Sequence, residues 1–246
     1  MLRELEHYYA TNGILSTSFT CEFKRDCQGD CEAFTGPKSA FVSSGYADNE
    51  LPRLLFLSLD SGSGDPIAEN RLPSAIQKYE EWERDSLAGH KSKHWYRTHE
   101  LAWYILRQFN PHLKIEEVRR FFAHANSAKC CMNKEQRKKA DKHLFRNCRH
   151  YLGGELKVLD PEILVTQGDE AKTAIQATHN GIVRRIDKFT YIISLNDKQV
   201  FWLHTFHPGA YAKFNEQRDF NKATGVVVGW ELYASKIHDF VVNRSA

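Results

Sequence analysis

The chain has 246 residues, of which 41% are hydrophobic and 26% are charged, and its formal net charge is +3. This composition is typical of a globular protein, and we expect a single domain over residues 1–246. No run reaches the roughly 18 to 20 apolar residues that a membrane helix needs, and the start MLRELEHYYATNG has no hydrophobic signal core. We therefore expect a cytoplasmic protein with no membrane partner.

Four short apolar runs indicate strands, and each is followed by turn or polar residues. In chain order they are LLFLSLD (54–60), FFAHANSA (121–128), EILVTQG (162–168) and VFWLHTF (200–206). Segments with helical spacing lie between and after them: THELAWYILRQF, EQRKKADKHLFRNCRHYLGGELKVL, DEAKTAIQA and ELYASKIHDFVV. This alternation predicts a three-layer α/β/α sandwich with a central, mostly parallel four-stranded sheet.

Two further segments have a local pattern of their own. Residues 183–206 indicate a hairpin with its turn at NDK, which leads into the last strand. Residues 63–93 are polar, and we expect an irregular loop there that covers the site.

The strand ends are the places to look for chemistry, because ligands of such sheets bind at the carboxyl ends of the strands. The four ends lead into SLDSGSGDP, NSAKCC, QGDEA and HTFHPGAY. We therefore expect Asp60, Asn126, His204 and His207 on one edge of the sheet. His204 lies three residues earlier on an apolar strand and is better explained as a packed strand histidine.

The cysteines and the basic residues are both clustered. The six cysteines form two groups: Cys21, Cys27 and Cys31, and Cys130, Cys131 and Cys148. In a reducing compartment, clustered thiols indicate a metal centre more than disulfides. Residues 129–149 carry eight Lys and Arg against two Asp and Glu, a local excess of +6 that exceeds the net charge of the chain. Such a segment suits a phosphate backbone, and a solvated helix face is the alternative.

Several motifs follow one another in a specific order. They are NSAKC (126–130), Cys148, the YL step at 151–152, the unit from Pro161 to Ala171 and the late TFHPGAY. With CQGDC ahead of LLFLSLDSG, this order resembles the iron-sulfur members of the uracil-DNA glycosylase superfamily. The resemblance covers roughly residues 27–211. Each motif is weak alone, but five in this order at plausible spacing make the resemblance specific.

The resemblance implies that Cys27, Cys31, Cys130 and Cys148 ligate a structural 4Fe-4S cluster. The cluster would hold the basic segment against an N-terminal cysteine loop at about 21–31. The first pair is spaced C-x3-C where the family has C-x2-C, and Cys21 and Cys131 are spare candidates. A zinc site with the same four thiolates is the alternative.

The resemblance also implies roles in base excision. Asn126 would hold the edge of the extruded base, with a strand-end cap as its alternative role. His207 would stabilise the charge of the departing base. Asp60 would position and deprotonate the water, with Asp65 in reserve. The iron-sulfur branch carries its acid one place earlier, where this chain has Leu59, so the role of Asp60 follows other branches of the superfamily.

The substrate pocket would differ from that of the uracil-specific branch. Gly62 stands where that branch has a Tyr that excludes thymine, and Ser58 replaces the usual Gly. The pocket wall is therefore thinned, and a C5-modified pyrimidine fits the pattern as well as uracil does. Trp95 is the first candidate for stacking on the base, and Tyr96 is the second. The alternative role of Trp95 is that of a core tryptophan that packs the start of the helix.

The resemblance further implies contacts with the DNA backbone and the minor groove. The predicted DNA-binding residues are Lys129, Arg137, Lys138, Lys139, Tyr211 and Lys213. Tyr211 would wedge into the base stack, and Lys213 would meet a phosphate.

We therefore expect a monofunctional DNA N-glycosylase that acts as a monomer and leaves an abasic site. Its base would be uracil or a C5-modified pyrimidine, such as hydroxymethylated or glucosylated cytosine of phage DNA. Excision of uracil would indicate DNA repair, and excision of a modified pyrimidine would indicate antiviral defence. No lysine nucleophile is recognisable in the motifs, so we expect no strand cleavage. The alternatives are a catalytically silent or covalently trapping DNA-binding protein of this fold and, more remotely, a metal-dependent nuclease.

Overall fold

The computed structural model describes residues 1–61, 64–83, 94–131, 142–178 and 182–245. The strands are β1 (Thr35–Pro37), β2 (Phe41–Val42), β3 (Leu54–Asp60), β4 (Phe122–Ala128), β5 (Cys130–Cys131), β6 (Ile163–Gln167), β7 (Ile182–Arg185), β8 (Thr190–Leu195) and β9 (Lys198–Thr205). Seven of these strands form one sheet in the order β2-β4-β3-β6-β9-β8-β7, and β1 pairs with β5 in a separate ribbon.

Helices cover the large sheet on both faces. They are α1 (Leu2–Thr11), α2 (Lys24–Gln28), α3 (Ser44–Ala47), α4 (Pro73–Lys78), α5 (His94–Leu106), α6 (Lys142–Leu159), α7 (Asp169–Thr178), α8 (Tyr211–Arg218) and α9 (Val228–Ser245). Helices α5 and α9 pack on one face, and α1, α6 and α7 pack on the other. None of the helices in the described ranges is long and apolar enough to span a bilayer.

The centre of the sheet consists of β4, β3, β6 and β9, which run parallel to one another. These are the four strands that the apolar runs predict, and the predicted α/β/α class is confirmed. The runs are almost continuously apolar because both faces of the strands are buried. The sheet is wider than the four predicted strands, because β2, β8 and β7 extend it with antiparallel pairing.

The sheet separates two hydrophobic cores, since successive strand residues point to opposite faces. On one face Phe56 packs with Ile105 of α5 and Trp230 of α9. On the other face Leu57 packs with Leu156 of α6. Burying one side chain of this size stabilises the fold by roughly 1.5–3 kcal/mol. The two cores fix the carboxyl ends of the central strands in place.

The predicted hairpin is confirmed in β8 and β9. Leu195 pairs with Lys198, so the turn consists of Asn196 and Asp197. These two residues have φ angles of 51° and 60°. A two-residue turn with both φ angles positive matches the twist of the strands, and Asn and Asp tolerate this conformation.

Helices α1 and α6 approach each other closely at one glycine. A Cβ added to Gly154 would lie 2.3 to 2.5 Å from atoms of the Tyr8 side chain, so any larger residue would require the Tyr8 ring to move. The Tyr8 hydroxyl donates a hydrogen bond to the carbonyl oxygen of Tyr151 at 2.7 Å. This contact fixes α6, the helix that carries Cys148.

The prediction of an irregular loop at 63–93 is wrong for part of that segment. Helix α4 begins with Pro73, whose ring suits the first helical turn, and it buries Ile76. A 3-10 turn at Glu69–Arg71 precedes α4, and a π-helical turn at Tyr79–Glu83 follows it. Residues 84–93 lie outside the described residues.

Candidate functional site

Polar side chains meet at the carboxyl edge of the central strands. In the parallel pairing of β3 with β4, Ser58 lies opposite Asn126, and Asp60 lies opposite Ala128. Because side chains alternate along a strand, Ser58, Asp60 and Asn126 belong to the face that carries Phe56 and is covered by α5. Ser58 and Asn126 are buried, and Asp60 is half-buried. Three of the predicted site residues therefore share one face.

A chain of hydrogen bonds that the sequence did not predict lies beneath this edge. The Ser58 hydroxyl donates to Gln167 Oε1 at 2.7 Å, and His124 Nε2 lies 2.8 Å from the Ser58 Oγ. Gln167 Nε2 donates to Thr98 Oγ1 at 3.1 Å. His124 stands two residues before Asn126 in FFAHANSA, and this spacing, which places both side chains on one strand face, is the signal that identifies it.

His207 lies two residues beyond the end of β9. Its Nδ1 accepts a hydrogen bond from the backbone N–H of Gly209 at 3.0 Å, and its ring stacks on His94 with centroids 5.7 Å apart. Burial lowers the pKa of His207, and the negative charge of Asp60 opposes this shift. The neutral ring therefore carries its proton on Nε2, which leaves an N–H donor. A Cβ added to Gly168 would contact both Leu59, the neighbour of Asp60, and His207, so the loop that carries His207 lies beside the end of β3.

Gly168 allows the turn after β6 to pass between β3 and the HPG segment, which consists of residues 207–209. Its φ is +99°, and an added Cβ would lie 2.9 Å from Leu59 Cδ2 and 3.3 Å from His207 Cβ. Its N–H donates to the carbonyl oxygen of Thr205 at 2.9 Å. A larger residue would push the loop that carries His207 away from the edge.

Asp65, the reserve for Asp60, is exposed and has a local structural role. Its carboxylate accepts a hydrogen bond from the Ile67 N–H at 2.8 Å and another from Asn70 Nδ2 at 3.0 Å. These bonds, that of Ile67 first, lower the pKa of Asp65. Because this carboxylate stabilises a turn, the half-buried Asp60 at the strand end is the better candidate for water activation.

Trp95 is buried in the core, where it packs against His124. Its side chain is 7% exposed, and its ring packs edge-to-face against His124 and Phe41, with centroids 5.1 and 6.4 Å apart. This packing fits the alternative role of a core tryptophan, because stacking on a base requires a free ring face. Tyr96, the second choice, is half-buried at the same helix start.

His204 packs as predicted. It is buried on the opposite face of the sheet, where its Nδ1 lies 3.1 Å from Thr166 Oγ1. Burial lowers the pKa of His204 to about 4, and the nearby Lys172 adds to the shift. A neutral, enclosed imidazole of this kind has no access to a substrate at the opposite face.

The predicted thiol ligands come together near the end of β4. Cys27, Cys31 and Cys130 belong to one buried cluster. One pocket is lined by Cys21, Cys27, Cys130 and Cys148. The remaining thiol, Cys131, contacts the Ser61 hydroxyl at 2.5 Å. The four predicted ligands therefore share one region, and Cys21 borders the same pocket.

Two of these sulfur atoms accept hydrogen bonds from N–H donors, and these donors act against the burial that raises the pKa of both thiols, that of Cys148 to about 11. Cys148 Sγ accepts the backbone N–H of Lys129 at 3.3 Å, and Cys27 Sγ accepts from Asn147 Nδ2 at 3.4 Å. Donors of this kind stabilise sulfur ligands in iron-sulfur and zinc sites. Within the described ranges, no group of three His, Cys, Asp or Glu side chains is arranged to hold a metal ion. The all-thiol donor set fits an iron-sulfur cluster by its chemistry.

The prediction that Lys129 contacts DNA is wrong. Lys129 is 2% exposed, and its ammonium lies 2.6 Å from Glu155 Oε1 and also contacts Oε2. The Tyr9 hydroxyl donates to the same carboxylate at 2.5 Å. The side chain points into the interior, where helix α6 supplies its counter-charge, so it cannot meet a phosphate.

The other predicted DNA contacts have different outcomes. Tyr211, at the start of α8, is 58% exposed. Lys213 is exposed on the same helix, with its Nζ 5.5 Å from the centre of the Phe206 ring. Both side chains are exposed to solvent. The residues Gly62, Arg137, Lys138 and Lys139 lie outside the described residues.

The chain was compared with known proteins. No protein-family model matches it, and no curated protein matches it. Functional assignment therefore depends on the geometry and chemistry of the edge.

Proposed function

We propose that this protein is a monofunctional DNA N-glycosylase that extrudes a pyrimidine nucleotide and hydrolyses its glycosidic bond. The substrate base is uracil or a C5-modified pyrimidine, such as hydroxymethylated or glucosylated cytosine. The observation that carries the proposal is the convergence of Asp60, Asn126 and His207 at the carboxyl edge of the parallel sheet. A carboxylate, an amide and a neutral imidazole are the groups that such a reaction requires.

Binding of the base is the first task. A stacked duplex hides the glycosidic bond, so the nucleotide must leave the helix and enter a pocket. Asn126 is buried at the edge, and its amide offers both a donor and an acceptor to a pyrimidine. This side chain therefore holds the base by its polar edge.

Bond cleavage places negative charge on the departing base. The electron pair of the bond between C1′ and the ring nitrogen moves to the base, while the sugar becomes cation-like. The Nε2–H of the neutral His207 points a donor at a base oxygen, and removing one preorganised donor of this kind typically costs about 100-fold to 1,000-fold in rate. His207 acts as an electrostatic stabiliser and keeps its proton.

Capture of the sugar cation completes the reaction. A water oxygen bonds to C1′, and its proton passes to the Asp60 carboxylate, which lies at the end of β3 near His207. The products are a free base and an abasic site in an intact backbone. The Lys129 amine is ion-paired in the interior and cannot act as a nucleophile, which agrees with a monofunctional enzyme.

Two surface features support DNA as the partner. Tyr211 and Lys213 are exposed on α8, directly after the HPG segment that carries His207. An aromatic wedge can enter the base stack, and a lysine can pair with a phosphate. Because α8 follows the HPG segment, the base would leave the duplex close to His207.

A 4Fe-4S cluster is part of the proposal, with Cys27, Cys31, Cys130 and Cys148 as its ligands. When bound, such a cluster serves as a covalent brace between distant chain segments. In this chain it would join the N-terminal cysteine loop to the end of β4 and to α6, which carries Cys148. Zinc is the alternative occupant of the same thiolates.

The test is excision by the purified protein from two substrates: uracil-containing DNA and phage DNA with glucosylated cytosine. Abasic sites are counted after incubation with chelator and without it. We expect product with at least one substrate and loss of product in both Asp60→Ala and His207→Ala. Asp65→Ala is the matched control, because its carboxylate is exposed and serves a turn.

The outcomes separate the candidate functions. Tight DNA binding without release of base, in the wild type, would support a silent or trapping DNA-binding protein. Backbone cleavage that chelator abolishes would support a nuclease. Unchanged excision after Asp60→Ala would remove the proposed mechanism.

A further inference from the structure

His124 has an unusual degree of exposure for its position. It lies within β4, a central strand of the sheet, and the other residues of this strand are all buried, whereas His124 is partly exposed. His124 points to the same face as Asn126, so this partly exposed residue lies beside the amide that we propose to hold the base.

The hydrogen bonds around His124 have a defined direction. The Thr98 hydroxyl donates to the carbonyl oxygen of His94 at 3.2 Å, and a carbonyl can only accept. Thr98 Oγ1 also accepts from Gln167 Nε2 at 3.1 Å and lies 3.2 Å from Gln167 Oε1, a second acceptor for its proton. Ser58 gives its single proton to that oxygen. The Ser58 Oγ must therefore accept from the Nε2–H of His124.

This direction leaves Nδ1 of His124 as a lone-pair acceptor. Burial lowers the pKa of His124 well below its usual value, and the neighbouring His94 and Lys38 add to the shift. The ring is therefore neutral at pH 7, with its one proton on Nε2. Within the described part of the chain, no hydrogen bond to its Nδ1 is found. A neutral acceptor on the strand face that carries Asn126 suits a ligand that brings a hydrogen-bond donor.

We propose that His124 is a specificity-determining residue whose Nδ1 accepts a hydrogen bond from a donor on the extruded pyrimidine. The inference rests on the proposed function and names the substrate class more closely. The donor is a 4-amino group or a hydroxyl group on a C5 substituent, which are adjacent on the same edge of the base. Unmodified uracil has only a carbonyl oxygen at C4, and two acceptors that face each other repel. Uracil is therefore the poorer ligand.

Four oligonucleotides test the proposal. Each contains one uracil, cytosine, 5-hydroxymethyluracil or 5-hydroxymethylcytosine in a sequence that is otherwise adenine and thymine. Dissociation constants are measured by fluorescence anisotropy with Asp60→Asn protein, so that the base is not consumed. We expect the bases with a donor to bind about tenfold more tightly than uracil, the effect of one net hydrogen bond in a pocket. Preference for the two amino bases or for the two hydroxymethyl bases identifies the donor.

Two substitutions separate recognition from packing. In His124→Asn the amide occupies the position of Nδ1, so the acceptor is kept and the link to Ser58 is lost. In His124→Gln the amide occupies the position of Nε2, so the link is kept and the acceptor is lost. We expect the Asn variant to retain most of the tenfold preference and the Gln variant to fall within about twofold of no preference.

Other results would overturn the inference. These are equal binding of all four oligonucleotides by the parent protein, preference kept by the Gln variant and lost by the Asn variant, or an equal loss for all bases in both. Excision by protein with an intact Asp60 is measured in parallel. Preference without excision would refute the glycosylase and leave the role of His124 in binding the base, whereas excision without preference would refute the role of His124 alone.

Discussion

The buried pair of Lys129 and Glu155 supports a quantitative prediction. Their side chains are 3% and 0% exposed. Changing Lys129 to Met leaves the Glu155 carboxylate without its counter-charge, and breaking a buried pair in this way costs about 3–5 kcal/mol. The Tyr9 hydroxyl remains 2.5 Å from the carboxylate and keeps one hydrogen bond. We therefore expect the free energy of unfolding to fall by about 3 kcal/mol, the lower end of that range.

The assay is urea denaturation at pH 7. The m-value, which is the slope of the free energy of unfolding against urea concentration, should be the same for the wild type and all variants. The double variant Lys129→Met with Glu155→Leu removes both charges, and we expect it to recover to within about 1 kcal/mol of the wild type. Lys213→Met, on an exposed lysine, is the control and should change stability by less than about 0.5 kcal/mol. A single variant as stable as the wild type, or a double variant no more stable than the single, would refute the buried pair.

Three further predictions concern packing, pH and the thiols. Gly154→Ala should destabilise the fold by about 1–3 kcal/mol, because the new methyl group meets the Tyr8 side chain at 2.3 to 2.5 Å. Gly153→Ala, whose Cβ would lie 3.3 Å from Thr178 Cγ2 alone, should cost less in the same thermal melts, and equal effects would contradict the close approach of Tyr8. His204 has a pKa of about 4 in the folded protein against 6.5 when unfolded, so its contribution to stability is present above pH 6.5 and is lost as pH falls towards 4, by about 1.4 kcal/mol per pH unit. His204→Asn should show a flatter dependence of the free energy of unfolding, and an identical slope would count against the buried neutral ring. Cys148→Ser should lower bound iron and sulfide at least severalfold in colorimetric assays, and unchanged content would remove this residue from the ligand set.

The central strands could be predicted because both of their faces are buried. Their apolar runs are long enough to be recognised, and parallel pairing then places Asp60, Asn126 and His207 at one edge by a general rule. The edge strands β2 and β7 have only two and four residues, too few for a pattern. Local sequence therefore predicts the centre of the sheet and misses its edges.

Other features depend on contacts between distant residues. Lys129 lies in a basic run, and this pattern predicts an exposed side chain. Its partner Glu155 is 26 residues away on α6, so the local sequence does not indicate the ion pair. The network of His124, Ser58 and Gln167 joins three strands, and no single segment contains it. Such pairs become visible only when the register of the strands is known.

The most direct measurement of the central claim is detection of the free base by mass spectrometry after incubation of the protein with DNA that contains uracil or glucosylated hydroxymethylcytosine. The account predicts one released base for each abasic site, an intact backbone, and loss of both products in Asp60→Ala. Abasic sites that persist at the wild-type rate in Asp60→Ala, or DNA bound tightly with no base released from either substrate, would contradict it.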